Sequence, residues 1–341
     1  MLKLSVLILS SSESYEIAKG VARNLRQLKE GGKDVYKVQT WGEGFFRHKE
    51  AFALNTFLKQ LLYFDLAVIV AGPDDVQHDR YDADKTVNVP RDNVVFELGA
   101  TCARFGTHRT FLLVPKSRTV KLPSYFKGIN VVEYDDSPDS DHIVATSDAV
   151  DDVHHAVQGL QGRVHQADLP ALGLAYGYLH SFVKPLITSI ESPQVFHDAG
   201  LTWEQGSRYT IAVVIPERLM NRKEIDYYCL NQLGLQNESI KLRNGRDVSV
   251  YIVPRVTSAD PLHIVDVPTT FFTSHQVIRL VDQYWEGGGD MEYRDRLMER
   301  EIRAFERQLR SLFAEDENIL PEDVTVVQAA GAEEYVAALS V

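Results

Sequence analysis

Short apolar runs alternate with helical periodicities through the first 135 residues. The runs predict strands at Leu4–Leu9, Val35–Thr40, Leu66–Ala71, Thr110–Val114 and Ile129–Tyr134. Strands of this kind separated by helices form a parallel sheet covered on both faces. The first helix is expected to open with Ser10 as N-cap and Glu13 three residues later, a capping-box spacing. Its apolar stripe is Ile17, Val21, Leu25 and Leu28, and Gly31-Gly32 stops it. A second helix carries Phe52, Leu54, Leu58, Leu61 and Leu62. A third, Pro90–Phe105, turns Val94, Val95, Leu98, Cys102 and Phe105 to one side.

The pattern then breaks. Residues 135–152 hold seven aspartates and neither Lys nor Arg. The stretch reads as a charged connector, ending in a short helix around Val150–Leu160. Beyond it the pattern predicts a long helix, Ala171–Ile190, a strand, Thr210–Ile215, and a helix, Arg222–Leu233. Strands Ser239–Leu242 and Asp247–Val253 flank the turn Arg243-Asn-Gly-Arg246, and His263–Val267 runs into Pro268-Thr-Thr270. A helix around Ser274–Trp285, a Gly287-Gly-Gly289 break and a charged helix to about Phe313 complete the reading. The expected organisation is an α/β domain over 1–135, an acidic linker over 136–164 and an α+β domain over 165–341.

A chain of 341 residues accommodates two such domains. Its 44% hydrophobic and 25% charged content is that of a soluble globular protein. The net charge of −12 argues against general affinity for nucleic acid or anionic membranes. Local basic residues leave a small anionic ligand open. Two distant cysteines, Cys102 and Cys229, make neither a disulfide framework nor a zinc site, which points to a reducing cytoplasm. The adjacent His154 and His155 do not make a metal set. Met1–Leu9 reads as a buried first strand rather than a signal peptide. No apolar run approaches the roughly 20 residues of a spanning helix.

Ligands of open parallel sheets bind at the carboxyl ends of the strands. Three loops leave there: Ser10-Ser-Ser-Glu13, Trp41–Arg47, and Gly72-Pro-Asp-Asp75 leading on to Pro90. Serine hydroxyls and a helix N-terminus can hold a phosphate. Trp41, Phe45 and Phe46 can cover an adenine or nicotinamide ring. Glu97 lies at the edge of its helix's apolar stripe, with Ala100 and Thr101 as small helical neighbours. A carboxylate there could stabilise an oxocarbenium-like ribose as nicotinamide departs. A glutamate early in a helix is also the ordinary solvated residue that the helix dipole favours, so both readings stand at this point.

The strings Trp41-Gly-Glu-Gly-Phe-Phe-Arg47, Ala71-Gly-Pro-Asp-Asp75, Pro90-Arg-Asp-Asn-Val-Val-Phe-Glu-Leu-Gly99 and Arg109-Thr-Phe-Leu-Leu-Val-Pro115 resemble the TIR-like nucleotide-binding domains of bacterial defence proteins, over about residues 3–135. The resemblance implies a flavodoxin-like parallel sheet and an NAD-cleaving enzyme. Glu97 would be its catalytic glutamate, with Ser10, Ser11, Trp41, Phe45, Asp74 and Arg91 around the NAD. The chain departs from the pattern after Gly99, where Ala100-Thr-Cys-Ala-Arg104 replaces a more apolar run.

Downstream, Gly173-Leu-Ala-Tyr-Gly-Tyr178 is Gly- and aromatic-rich inside a helix. Glycine there costs about 1 kcal/mol against alanine, which suggests close approach of another element in a helix core or a dimer. This string and Asp266-Val-Pro-Thr-Thr270 resemble STING, the cyclic-dinucleotide receptor, over about residues 165–325. The resemblance implies a twofold dimer that binds cyclic di-GMP or a related dinucleotide. Phe182 would stack on a base, Tyr178 would join it in the dinucleotide site, and Asp266 would accept from guanine N1–H and N2–H. Thr269 and Thr270 would reach phosphate or base edge, and Arg243, Arg246 and Arg255 would serve as lid candidates. Together the two resemblances imply a cytoplasmic TIR–STING fusion of CBASS antiphage defence. Ligand-driven filaments would switch on NAD cleavage, with no cofactor, metal, nucleic acid or membrane involved. A non-catalytic TIR interaction module and a different nucleotide or nucleoside N-glycosidase remain the alternatives.

Overall fold

A computed structural model describes residues 3–42, 53–78, 86–126, 128–137, 140–160, 168–191, 208–242, 245–255, 257, 260–273, 276–277 and 291–339. They fall into two compact units, Met1–Ala167 and Asp168–Val341.

The first unit runs β1 (Leu4–Ser10), α1 (Tyr15–Gln27), β2 (Lys29–Glu30), β3 (Lys33–Asp34), β4 (Tyr36–Thr40), α2 (Ala53–Leu61), β5 (Leu66–Val70), β6 (Asp75–His78), β7 (Thr86–Val89), α3 (Asp92–Phe105), β8 (Thr110–Pro115), β9 (Asn130–Tyr134), α4 (His142–Ala145) and α5 (Ser147–Gln158). The five expected strands form one parallel sheet in the order β4-β1-β5-β8-β9. This is the flavodoxin-like order. The chain leaves β1 for β4 on one side and returns to β5 on the other. That reversal opens a crevice at the carboxyl ends of β1 and β5, where doubly wound sheets bind ligands.

Several local expectations are corrected. Ser10 is the last residue of β1, and Ser14, not Ser10, caps α1. The Ser11 hydroxyl accepts from the Ser14 N–H at 3.1 Å, so the loop closes as a serine turn before the helix begins. The helix ends at Gln27, ahead of the glycines. Gly31 and Gly32 instead take φ of 55° and 80° as the two-residue turn of the β2–β3 hairpin. On α2 the inward residues are Phe57 and Leu61, whereas Leu54 and Leu58 are 53% and 43% exposed. The Phe57 ring meets Phe96 of α3 at 6.1 Å, which fixes that rotation of the helix. Phe52 lies outside the described residues.

The largest correction is at 136–164, expected as a linker. Helices α4 and α5 lie within it, α5 being the short helix expected around Val150–Leu160, and both belong to the first unit. Ala149, Val150, Val153 and Val157 share one core cluster with Val6, Ile8, Ala18 and Val68. The valines, three and four residues apart, face inward and the aspartates outward, so the acidic helix is amphipathic and packs on the core. Asp141 caps α4 by accepting from the Ile143 N–H at 2.8 Å. His154 Nδ1 lies 2.8 Å from the Tyr36 hydroxyl, tying α5 to the end of the sheet.

α4 docks on α1 through Gly20. A Cβ there would lie 2.4 Å from the His142 carbonyl oxygen. Gly→Ala in a helix ordinarily stabilises by up to about 1 kcal/mol. Here Gly20→Ala should destabilise by about 1–3 kcal/mol, because backbone must move to admit the methyl group. Urea unfolding of the purified protein measures it, and a raised midpoint would contradict this docking.

The second unit runs α6 (Leu169–Tyr178), a π-turn (Leu179–Val183), α7 (Lys184–Ile190), β10 (Tyr209–Ile215), α8 (Arg222–Tyr227) with a π-turn continuing to Gln232, β11 (Gln236–Lys241), β12 (Asp247–Ile252), β13 (Leu262–Asp266), α9 (Met291–Glu315), β14 (Val324–Gln328) and α10 (Ala329–Leu339). α6 and α7 are the expected long helix, widened just before Pro185. Proline has no N–H to return to the preceding turn, and the π-turn takes up the mismatch. The sheet order is β11-β12-β13-β10-β14. β10 pairs parallel with β13 and β14, while β12 is antiparallel to both its neighbours. β14 and α10 were not anticipated. They add Val324, Val326, Ala332 and Val336 to the buried core. Of the helix expected around Ser274–Trp285, only residues 276–277 are described, and the Gly287–Gly289 break lies outside.

Candidate functional sites

In the first unit the loops at the crevice are knitted together by the residues expected there. The Trp41 indole N–H donates to Ser10 Oγ at 3.3 Å. Its ring meets Tyr15 edge-on at 6.0 Å. The Ser14 hydroxyl donates to Asp74 Oδ1 at 3.4 Å, so the loop after β1 touches the loop after β5. Gly72 permits that contact, since a Cβ there would lie 2.3 Å from Ser14 Oγ and 2.4 Å from Asp74 Oδ1. Arg91, just before α3, pairs with Glu13. Phe45 lies outside the described residues. The expected phosphate grip is partly spent: Ser11 Oγ holds the Ser14 N–H, and the Tyr15 N–H reaches Ser12 O at 3.4 Å. Ser10 Oγ accepts from the indole and keeps its own proton to donate.

Glu97 stands in the second turn of α3, half-buried. Its Oε2 is buried without a hydrogen-bond partner. Burial pushes its carboxyl up to about 7. The Thr101 hydroxyl, its neighbour one turn on, donates to the Glu97 and Leu98 carbonyl oxygens at 2.9 and 3.0 Å, not to the carboxylate. Asp74 Oδ2 is likewise buried and unpartnered. A buried orphaned acceptor costs about 1–3 kcal/mol. Asp74 lies on the loop after β5 and Glu97 on α3, which begins at the same end of the sheet.

In the second unit three expected residues come together. The Tyr178 hydroxyl donates to Asp266 Oδ2 at 2.7 Å. The Tyr178 ring stacks on Phe182, centroids 5.3 Å apart and planes at 28°. Phe305 of α9 meets Tyr178 edge-on at 6.0 Å and Phe271 at 4.8 Å, an aromatic backing that sequence reasoning missed. Asp266 closes β13, and burial raises its carboxyl to about 6. The Arg222 cation on α8 opposes that rise, a partner with no signal in the sequence. After Asp266 the chain turns through Thr269, exposed, and Thr270, whose Oγ1 is buried without a partner. Arg246 is exposed on the β11–β12 turn. Arg255 follows β12 and donates to the Asp260 carbonyl at 3.4 Å. Arg243 lies outside the described residues. Gly173 and Gly177 are exposed, with no atom within 4 Å of a Cβ built on either. The close approach expected from them is not made within the protomer among the described residues.

Two families match the chain. "CAP12/Pycsar effector protein, TIR domain" covers residues 5–136. "Prokaryotic STING domain" covers residues 170–310. The protein is thus a TIR domain joined to a prokaryotic STING domain. It is 26% identical to "CD-NTase-associated protein 12" of Flavobacterium daejeonense over 92% of this chain and 96% of that protein. Its first part is 40% identical to "Pycsar effector protein PaPycTIR" of Pseudomonas aeruginosa, over 38% of this chain and 39% of that protein. A solved structure, "Bacterial STING in complex with c-di-GMP", aligns at 25% identity with a TM-score of 0.39, covering 47% of this chain and 95% of that one. The chain belongs with the bacterial TIR–STING fusions. Among the described residues no helix is long and apolar enough to cross a membrane.

Proposed function

We propose that this protein is a cytoplasmic antiphage effector in which cyclic di-GMP, bound by a homodimer of STING domains, drives assembly that switches on NAD cleavage by the TIR domain. The observation that supports the reading is a pair of buried acceptors without partners in the TIR domain, Glu97 Oε2 on α3 and Asp74 Oδ2 on the loop after β5, in a chain that also has a STING domain. Asp74 accepts from a ribose hydroxyl and holds the sugar. Trp41 covers a ring, while Ser10 donates to a phosphate. Glu97, ionised, faces the ribose as positive charge develops on it and nicotinamide departs. Water then completes hydrolysis to ADP-ribose products. In the receptor domain Phe182 stacks on a base, Asp266 reads guanine, and Thr270 Oγ1 meets a phosphate or base edge. Arg246 and Arg255 supply cations near the mouth. The open Gly173–Gly177 face of α6 suits a second copy, because glycine lets two backbones approach closely. A twofold dimer matches a twofold ligand.

The test is NAD loss over time by the purified protein with each cyclic dinucleotide, with light scattering in parallel. Rapid loss and growing particles with cyclic di-GMP are expected. NAD left intact with every dinucleotide would sink the enzyme reading and leave an interaction module. Cleavage of nucleosides with NAD untouched would assign a different N-glycosidase.

A further inference from the structure

Tyr178 and Phe182 look equivalent in the sequence, two aromatics one helical turn apart. The structure separates them. Phe182 is half-buried, whereas Tyr178 is only 4% exposed. The Tyr178 ring is held between Phe182, stacked at 5.3 Å, and Phe305, edge-on at 6.0 Å. Its hydroxyl ends on Asp266 Oδ2 at 2.7 Å.

We infer that Tyr178 is a positioning residue: it backs the Phe182 ring and fixes the Asp266 carboxylate for guanine, so that one buried phenol couples base stacking to base reading. The inference rests on the proposed role of Asp266 as the guanine reader. Guanine offers N1–H and N2–H side by side, and a carboxylate accepts both only when its two oxygens lie near the plane of the base. Asp266 is the last residue of β13, and no other hydrogen bond from the described residues sets its rotamer. An ionised carboxylate has about four acceptor sites. The phenol uses one and leaves enough for the base.

The same bond keeps the acid charged. Burial drives Asp266 up to about 6, and the Tyr178 hydrogen bond and the Arg222 cation pull the other way. Two other titratable groups feel its charge. Cys229, from the turn continuing α8, is pushed up to about 12 and stays a neutral thiol. Tyr178 is itself raised well above the usual phenol value, and α9 contributes the uncharged Phe305. Guanine reading needs the ionised acid, so affinity for cyclic di-GMP should fall as pH drops through about 6. Without the phenol the fall should begin at higher pH.

The experiment is calorimetric binding of cyclic di-GMP and cyclic di-AMP to the full chain, its Tyr178→Phe form and its Asp266→Ala form, at several values between about pH 5 and pH 8. Tyr178→Phe should lose about 5- to 10-fold for cyclic di-GMP at neutral pH, the scale of one hydrogen bond. It should lose less for cyclic di-AMP, and its pH midpoint should rise. Equal loss for both ligands with an unmoved midpoint would make Tyr178 a plain wall of the pocket and overturn the inference. So would unchanged binding. If Tyr178→Phe were too unstable to assay, a pH-independent wild-type affinity would overturn it instead. Asp266→Ala reports on the underlying reading separately: cyclic di-GMP affinity unchanged in that form would remove Asp266 as the reader, whatever Tyr178 does.

Discussion

Replacing Glu97 with glutamine should cut NAD consumption about 100- to 1,000-fold and make the protein harder to unfold above about pH 7. The two effects have one cause. Burial alone lifts the carboxyl to about 7, and Oε2 has no partner to offset the lost hydration. The acid is raised in the folded protein, so the fold binds more protons than the unfolded chain between about 4.5 and about 7. Stability therefore declines as pH rises through that window, and the cost of the buried charge is complete above it. Glutamine keeps the shape and removes the charge. Each pKa unit corresponds to about 1.4 kcal/mol. Glu97 is only half-buried, and screening by solvent reduces the gain to about 1–2 kcal/mol, a few degrees in Tm. Catalysis moves the other way, because a charge aimed at a developing cation contributes about 100- to 1,000-fold in rate. Thermal unfolding at low and high pH, beside NAD loss with cyclic di-GMP, checks both. A variant that consumes NAD at the rate of the parent protein would end the catalytic assignment. A Tm gain equal at pH 5 and pH 8 would show that the carboxylate's charge is not the cause.

Glu97 also shows what the sequence made legible. The string around it places the acid on a helix entered from a polar loop, and α3 begins at Asp92 as that string suggests. The three central strands of the first sheet, β1, β5 and β8, were legible because a strand buried on both faces leaves a dense apolar run, whereas the edge strands β4 and β9 keep exposed positions. Less was legible where a residue's role is set by a distant partner. Tyr178 is set apart from Phe182 by Asp266, 88 residues away, and by Phe305 on α9. Thr101 sits one turn from Glu97, yet its hydroxyl turns to the helix backbone, a choice that helical spacing does not reveal. The same holds for β14, a five-residue strand recognisable only once β10 lies beside it.

In the acidic stretch after β9 the expected helix is present, but its place in the core was missed for a related reason, with a large consequence. A chain ending at residue 135 should fail to fold, whereas one ending at residue 160 should fold as a TIR domain. The shorter chain loses α4 and α5, and with them Val150, Val153 and Val157 from the cluster that includes Val6, Ile8 and Val21. A fully buried valine contributes about 1.5–3 kcal/mol, so three withdraw roughly 5–9 kcal/mol. That is comparable with the whole stability of an ordinary domain, about 5–15 kcal/mol. Polar ties are lost as well. The Asn24 amide donates to the Ile143 carbonyl at 2.8 Å and to Thr146 Oγ1 at 3.0 Å. The Tyr36 hydroxyl loses its bond to His154. Aspartates on the outer face of α5 keep it soluble and take no part in this core. Circular dichroism and urea unfolding of the two chains decide the matter. A cooperative transition for the shorter chain, with a midpoint near that of the longer, would restore the linker reading. Within the longer chain, Val153→Asp should reproduce the loss, because it sets an unpaired charge among Val6, Ile8 and Val150.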